Sequence, residues 1–118
     1  MEYKELLVTD VWKEIPNYYS IGYVCLKDNC HLIYLKNGIA HRHGGPASIE
    51  VFRQRNGNIY KMYFEFFING LLHNENGQAA VYYYASDNYA KPESFYYLNG
   101  DEYSKKQYEK QILTKLYW

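Results

Sequence analysis

Residues 34–47 read Tyr-Leu-Lys-Asn-Gly-Ile-Ala-His-Arg-His-Gly-Gly-Pro-Ala, and several of these landmarks return after about thirty residues. Counted from the Asn of each Asn-Gly pair, two copies share the same landmarks at the same offsets: His41 and His73, Gly45 and Gly77, Ala47 and Ala79, Ile49 and Val81. Self-similarity at a fixed period is typical of a repeat protein. The sequence therefore predicts an array of similar units.

Each unit is predicted to be a β-hairpin. Asn37-Gly38, Asn69-Gly70 and Asn99-Gly100 follow aromatic-rich runs, and Asn-Gly tolerates the positive φ that type I′ turns require at both central positions. Asn56-Gly57 predicts a further hairpin turn. Ser104 followed by Gln107 matches a capping box and predicts a helix that covers the open end of the array.

The predicted fold is therefore α+β and mostly β, an antiparallel meander of repeated β-hairpins with a C-terminal capping helix. A chain of 118 residues forms one domain. We divide it into an N-terminal segment with the first strand (1–30), the hairpin repeats (31–103) and the C-terminal helix (104–118), with about six to eight strands in total. Residues 8–14 fit either a short helix or a strand. Residues 18–26 are predicted to be a strand with an unpaired edge, so the chain is a monomer or a homodimer.

Charge and composition exclude several classes of function. The thirteen basic and thirteen acidic residues cancel, so the chain has no overall field that attracts nucleic acid or anionic membranes. It contains no apolar run long enough to span a membrane and begins with charged residues, which predicts a cytoplasmic protein. The abundance of Tyr, Lys and Asn is typical of AT-rich coding, as in many bacterial viruses.

The two cysteines, Cys25 and Cys30, leave three alternatives. Two reduced thiols, one facing the core and one near a turn, are favoured because an intracellular chain rarely keeps a disulfide. A disulfide is the second alternative. A mixed metal site with His31, His41 or His43 is the third, although zinc needs three or four converging ligands. We predict no metal and no cofactor.

The motif resembles the MORN-variant repeats of bacterial and phage proteins. The unit of that family, roughly Tyr-x-x-Asn-Gly-x-x-His-Arg-x-x-Gly-Pro-Ala, is similar to residues 34–47, and the family's ending before a helix is similar to residues 97–104. The resemblance covers about residues 31–110. The second unit departs from the pattern, with Asn74 in place of Arg and Gln78 in place of Pro. The resemblance implies a β-hairpin array, protein-binding or inhibitory roles that include immunity and antitoxin partners, and no shared catalytic residues.

The His41-Arg42-His43 segment could hold a metal or act as a general base. However, His41 recurs as His73, and a residue repeated at one position of a repeat usually has a repeated structural role, such as a hydrogen bond to neighbouring backbone beside the turn. His43 has no counterpart, so it is the better functional candidate. Gly44, Gly45 and Pro46 predict a bend, because the strand-to-helix transition of a phosphate-binding loop is missing.

An exposed aromatic stripe is the predicted binding surface. If Tyr83 and Phe95 pack inward, then Tyr82, Tyr84 and Tyr96 point outward. Tyrosine gives a large contact area with few rotors to freeze. The alternative is a half-buried sheet whose hydroxyls only reach water. The full set of predicted partner-binding residues is Tyr82, Tyr84, Tyr96, Arg53, Arg55 and His43.

We predict a non-enzymatic protein-binding protein with no catalytic residues. The more specific prediction is an inhibitor or immunity-type protein, phage-encoded or bacterial, that acts on a bacterial immune effector or toxin as an anti-defence protein or antitoxin. The alternative is a nucleic-acid-associated protein that uses Arg53, Arg55, Lys61 and Tyr63, with binding that weakens steeply as salt rises. A hydrolase or metalloenzyme centred on Cys30, His41 and His43 is a third possibility.

Overall fold

The computed structural model describes residues 4–7, 19–26 and 28–116. They form eleven strands, a short 3-10 turn at Ala85–Asp87 and one helix. The strands are β1 (Lys4–Leu7), β2 (Tyr19–Leu26), β3 (Asn29–Lys36), β4 (Ile39–Ala40), β5 (Ser48–Arg53), β6 (Ile59–Glu65), β7 (Phe67–Ile68), β8 (Leu71–Leu72), β9 (Ala80–Tyr84), β10 (Glu93–Leu98) and β11 (Asp101–Tyr103), and α1 is Lys105–Leu116. The prediction for residues 8–14 lies outside the described residues.

The strands form an antiparallel meander in the order β1-β2-β3-β5-β6-β9-β10-β11. β4 pairs with β3, and β7 with β8 as a separate two-stranded ribbon. This arrangement confirms the predicted fold class. The eleven strands exceed the predicted number because the repeat loops divide longer extended runs into short hairpin arms.

The prediction of an unpaired edge at β2 is wrong. β1 pairs with β2 in register from Lys4 opposite Tyr23 to Leu7 opposite Ser20. Strand addition at this part of β2 is therefore blocked, because its backbone groups are already used. The outermost strands of the described sheet are β1 and β11.

The three repeat turns have the predicted backbone geometry. Their central residues all have positive φ: Asn37 52° and Gly38 78°, Asn69 50° and Gly70 79°, Asn99 51° and Gly100 84°. The hairpin at Asn56-Gly57 is built differently. Only Gly57 is left-handed, at φ 88°, and its N–H donates to the carbonyl of Gln54 at 2.8 Å. This pattern is typical of a three-residue loop that ends in a glycine bulge.

Histidines connect successive turns. The backbone N–H of Asn69 donates to Nδ1 of His41 at 2.9 Å, and the N–H of Asn99 donates to Nδ1 of His73 at the same distance. Both imidazoles therefore carry the structural role predicted for the repeated histidine. His41 is buried, with 4% of its surface exposed. Each of the first two units is thus held to the next by a histidine that accepts a hydrogen bond from the backbone of the following turn.

Glycines allow the turns to approach closely. The N–H of Gly70 donates to the Ala40 carbonyl at 2.8 Å, and a Cβ added at Gly70 would lie 2.7 Å from Cγ2 of Ile39. Leu71 approaches Gly100 in the same way, with Cδ2 3.3 Å from an added Cβ. The residue after each of the first two turns therefore packs on the glycine of the next turn.

The sheet has two faces of different character. Cross-strand pairing places one set of mainly aliphatic side chains on what we call the apolar face: Ile49, Val51, Met62, Phe64, Val81 and Tyr83. The opposite side, which we call the tyrosine face, carries Phe52, Tyr63, Tyr82, Tyr84 and Phe95. Burial is slight for a chain of this length. The buried hydrophobic residues among those described are Val24, Ala47, Ala79, Ala80 and Tyr108.

The helix begins as predicted. The N–H of Gln107 donates to Oγ of Ser104 at 3.2 Å, and the N–H of Ser104 donates to Oε1 of Gln107 at 3.1 Å. This reciprocal pair is a capping box, which satisfies two backbone donors at the helix start. α1 follows β11, the short strand after the third turn, where the first two units instead have a loop.

The favoured prediction of reduced cysteines is wrong in this structure. Cys25 and Cys30 stand directly opposite each other on β2 and β3, and their sulfurs form a disulfide. The short connection between the two strands sets this register. The disulfide follows from the hairpin geometry of β2 and β3, which places the two sulfurs side by side. The prediction of reduced thiols rests instead on the expected redox compartment.

We predict that Gly70→Ala destabilises the protein more than Gly57→Ala. Both glycines have a similar left-handed φ, so the backbone strain of an alanine, about 1 kcal/mol, is shared. Only the Cβ at position 70 meets another residue, because Gly57 faces open space. Urea unfolding of both variants measures the difference.

The double variant Gly70→Ala with Ile39→Ala tests the cause. Removing the Ile39 methyl groups should recover part of the loss, since double-mutant cycles isolate a contact of this kind. Equal losses for Gly70→Ala and Gly57→Ala would contradict close packing of the turns.

Candidate functional site

Two equivalent loops shape the candidate site. Loop 1 is residues 41–46 and loop 2 is residues 73–78. Each begins with matched backbone bonds, since the N–H of Arg42 donates to the Phe67 carbonyl at 3.1 Å and the N–H of Asn74 donates to the Tyr97 carbonyl at 3.2 Å. Each leads into a fully buried alanine, Ala47 or Ala79. The sheet therefore presents the two loops in similar settings.

A side chain closes each loop internally. In loop 1, the Arg42 guanidinium lies 4.0 Å from the centroid of the Tyr34 ring and donates to the Pro46 carbonyl at 3.2 Å. In loop 2, the Asn74 amide donates to the Gln78 carbonyl at 2.8 Å. The second unit, which looks degenerate in sequence, thus preserves the same cross-loop hydrogen bond with different residues.

A cleft of about 540 Å³ lies between the two loops, and we call it the inter-loop cleft. Its lining residues come from both loops and from the ribbon beside them: Arg42, His43, Gly44, Gly45, Phe66, Ile68, His73, Asn74, Glu75 and Asn76. His43 and Gly44 are exposed at its rim. The cleft combines a ring surface with polar loop backbone.

The other side of loop 2 is covered by α1. The Tyr108 hydroxyl donates to the Asn74 carbonyl at 2.7 Å and accepts from the N–H of Gly77 at 3.0 Å. Its ring packs 4.7 Å from the ring of Tyr96. Burial raises the pKa of Tyr108. The buried phenol thus satisfies two loop groups and holds the helix against the array.

Glu75 provides a second link between loop 2 and α1. Its carboxylate contacts the ammonium of Lys115 and lies 3.4 Å from Nε2 of His73. The hydrogen bond from Lys115 is the main cause that lowers the pKa of Glu75. This pair is exposed, so we expect it to contribute little to stability.

An open groove of about 440 Å³ continues from the cleft along the apolar face. It is lined by Pro46, Met62, Phe64, Phe66, Val81 and Tyr83. Phe66 lines both depressions. Cleft and groove therefore form one surface with an apolar floor and a polar end.

The tyrosine face is a chain of rings in edge-to-face and tilted contact. Tyr63 lies 5.1 Å from Phe52 and 4.6 Å from Tyr82, and Tyr82 lies 5.9 Å from Phe95. The Tyr82 hydroxyl donates to Glu65 at 3.2 Å. Burial raises the pKa of Glu65 despite this bond. The rings on this side are thus largely engaged with one another and with a carboxylate.

The predicted aromatic stripe is only partly correct. Tyr82 and Tyr84 share a face, but Tyr96 lies on the opposite face, where it meets α1. Phe95, which was expected to pack inward with Tyr83, lies beside Tyr82. The register of β10 against β9 causes the difference, because Glu93 pairs with Tyr82 and odd residues of β10 therefore point to the tyrosine face.

The three remaining predicted residues do not converge. Arg53 lies near the disulfide, with Nη1 3.9 Å from Sγ of Cys30. Arg55 is exposed in the turn between β5 and β6, and His43 is at the rim of the inter-loop cleft. Of the six predicted contacts, His43 is the one that lines the cleft.

The residues proposed for nucleic acid also separate. Lys61 lies 4.5 Å from the centroid of Phe52 and 5.2 Å from that of Tyr63 on the tyrosine face. Arg53 lies on the other face, near Cys30. The predicted combination of Arg53, Lys61 and Tyr63 is therefore not a single basic surface.

The residues suggested for metal or hydrolytic chemistry have other partners. Cys30 is in the disulfide, and Nδ1 of His41 accepts a backbone hydrogen bond. His43 meets the His41 ring edge-on at 4.8 Å. Within residues 4–7, 19–26 and 28–116, no three His, Cys, Asp or Glu side chains are grouped to hold a metal ion.

Sequence reasoning missed one pair of residues that could carry chemistry. Nε2 of His31 lies 2.7 Å from Oγ of Ser48, across two adjacent strands. A serine beside an imidazole can be a nucleophile. However, only 4% of the Ser48 surface is exposed, so a substrate could not reach the hydroxyl. The β3–β5 register, which sequence alone did not provide, brings the two residues together.

No match was found in a scan against protein-family models, among curated proteins or among solved structures. The resemblance to MORN-variant repeats therefore remains a prediction. The helix in the described part of the chain is too short and too polar to cross a bilayer.

We predict that Tyr108→Phe destabilises the protein by about 1–3 kcal/mol, because two buried backbone groups lose their partner. Tyr103→Phe is a matched control, since within the described residues its hydroxyl forms no hydrogen bond. Urea unfolding measures both variants. Equal midpoints for the two variants would contradict the bridging role.

We predict that acid weakens the connection between the first two turns. Burial, aided by His43 and Lys36, lowers the pKa of His41, so the unfolded chain binds a proton more readily. The stabilisation is complete above the unfolded value of about 6.5 and is lost as the pH falls through the lowered pKa. Protonated Nδ1 can no longer accept the Asn69 amide.

The variant His41→Asn provides the comparison, because an amide oxygen can accept but does not titrate. The urea midpoint of the wild type should fall more than that of His41→Asn between about pH 7.5 and 5.5. Parallel pH profiles for the two proteins would show that His41 is not the titrating group.

Proposed function

We propose that this protein is a non-enzymatic binding protein and that its partner is another protein, held against the apolar face and the inter-loop cleft. The observation that carries the proposal is the open groove over Met62, Phe64 and Val81, which no described element covers. A sheet usually buries its apolar face against another layer. A partner protein would supply that layer.

Burial supports this proposal. Met62, Phe64, Val81 and Tyr83 are each half-buried although they lie near the middle of the strand order. A partner that covers the groove would remove the remaining apolar area of these side chains from water, which favours association. The apolar floor would contribute binding energy, and the polar loop groups at the end of the groove would orient the partner.

The tyrosine face is the less favourable surface for this role. Its Tyr63 and Tyr82 rings already pack edge to face, and Tyr82 is hydrogen-bonded to Glu65. A partner there would have to cover Glu50 and Glu65, and burying a charge without a compensating partner is costly. The apolar groove carries no such charge.

The more specific role, an inhibitor or immunity-type protein directed at a bacterial immune effector or toxin, rests on the repeat resemblance and on small size. A surface whose described residues form no catalytic constellation suits a protein that acts by occupying its target. We extend the proposal to this class on those grounds, and cytoplasmic location belongs to the same proposal.

The proposal is tested by affinity capture from the native host with three immobilised proteins. The wild type should retain a defined protein, whereas Met62→Lys should retain at least tenfold less, because a charge is placed in an apolar interface. Tyr84→Lys is the matched control on the opposite face and should behave as the wild type. Thermal unfolding of all three confirms that each is folded.

Two results would overturn the assignment. Equal retention by Met62→Lys and the wild type would exclude the apolar face. Loss with Tyr84→Lys alone would move the site to the tyrosine face. In a separate control, a purified partner that binds as strongly after nuclease treatment would show that no nucleic acid bridges the two proteins.

A further inference from the structure

We propose that the inter-loop cleft is a receptor for a tyrosine side chain of the partner protein, whose phenol hydroxyl would bridge the Arg42 carbonyl and the Gly45 N–H. This inference rests on the proposed function and names the contact chemistry of its partner. The chain itself provides a precedent, since it already binds one of its own tyrosines in the corresponding way at loop 2.

The precedent is Tyr108. Its hydroxyl bridges the Asn74 carbonyl and the Gly77 N–H of loop 2, while its ring packs on Tyr96 at 4.7 Å. A phenol suits this position because its apolar ring packs on Tyr96 and its polar hydroxyl pairs with the two backbone groups. The repeat thus shows what kind of side chain one of its loops accepts.

Hydrogen bonds establish which residues correspond. Phe66 and Tyr34 occupy the same position, since their N–H groups donate to the Ala79 and Ala47 carbonyls. In the last unit Tyr96 takes that position, opposite Tyr103 in the β10–β11 pair. The surface under Tyr108 therefore corresponds to the surface over Phe66, which is the floor of the inter-loop cleft.

Loop 1 offers the same two kinds of backbone group, a carbonyl and an N–H, in a backbone that differs at the glycines, since Gly77 has φ 148° and Gly45 is not in the positive-φ region. By position, Arg42 and Gly45 correspond to Asn74 and Gly77, and both line the cleft. Within the described residues, neither the Arg42 carbonyl nor the Gly45 N–H forms a hydrogen bond. Backbone groups without a protein partner beside the half-buried Phe66 ring favour a ligand that is both aromatic and hydroxylated.

The two loops differ at four of their six positions, and one of these differences changes the backbone conformation. Gly44 is left-handed, at φ 80°, where loop 2 has Asn76. The N–H of Asn76 is held by the Asn74 side chain at 2.9 Å, whereas within the described residues the N–H of Gly44 forms no hydrogen bond. Loop 2 is therefore fixed around a resident tyrosine, and loop 1 is suited to an incoming one.

The experiment is a titration of the ¹⁵N-labelled full chain, followed by amide spectra. The two probes are N-acetyl-L-tyrosinamide and N-acetyl-L-phenylalaninamide at matched millimolar concentrations. We expect the tyrosine probe to move the Gly45 amide proton downfield and to bind about threefold to tenfold more tightly than the phenylalanine probe. The Gly77 amide should not move, because Tyr108 occupies it.

A blocking variant confines the effect to the cleft. Asn76 is exposed and lines the cleft, so Asn76→Trp should obstruct it and weaken the tyrosine probe without unfolding the chain. An unchanged Gly45 signal, equal shifts with both probes, or equal shifts at Gly45 and Gly77 would each overturn the inference. So would a Gly45 signal that changes with protein concentration alone, which would assign the cleft to a second copy.

This outcome can be separated from that of the proposed function. If Met62→Lys abolishes capture while the tyrosine probe leaves the Gly45 amide signal unchanged, the partner binds the apolar face without a tyrosine anchor. If Gly45 responds and Met62→Lys has no effect on capture, the cleft is real and the groove is not the partner's site.

Discussion

The hydrogen bond from the Asn69 amide to Nδ1 of His41 is the constraint on which the other features depend. It requires an unprotonated Nδ1, and it places the second turn directly beside the first. His73 repeats the bond with Asn99. With the turns held at this separation, Ile39 packs on Gly70, and the loops that follow the histidines take corresponding positions. The cleft between those loops is a result of this spacing.

In a sheet built in this way, most of the stabilising contacts lie between neighbouring strands and turns. Among the described residues, Ala47 and Ala79 at the loop exits are fully buried, whereas the rings on the two sheet faces are only half-buried. The backbone ladder and the turn contacts therefore replace much of the usual core as sources of order. The two faces can then differ in purpose, with mutually packed rings on one side and an open apolar groove on the other.

The sequence predicted the features that local chemistry determines. Asn37-Gly38 and its two counterparts form the predicted turns, and Ser104 with Gln107 forms the predicted cap, because each depends on a few adjacent residues. The prediction that Tyr96 shares a face with Tyr82 and Tyr84 is wrong, because the face depends on the strand register across the long connection between β9 and β10. The inter-loop cleft was not predicted, since it joins residues of two units whose spacing only the histidine bonds reveal.

The order of the sheet has a consequence for how the chain is made. Most strand pairs join neighbours in sequence, and each repeat contacts mainly the one before it. A nascent polypeptide could therefore add hairpins one by one as it leaves the ribosome, with no need to wait for distant segments. α1 would be synthesised after the eleven described strands, so Tyr108 would reach loop 2 only when those hairpins are already in place.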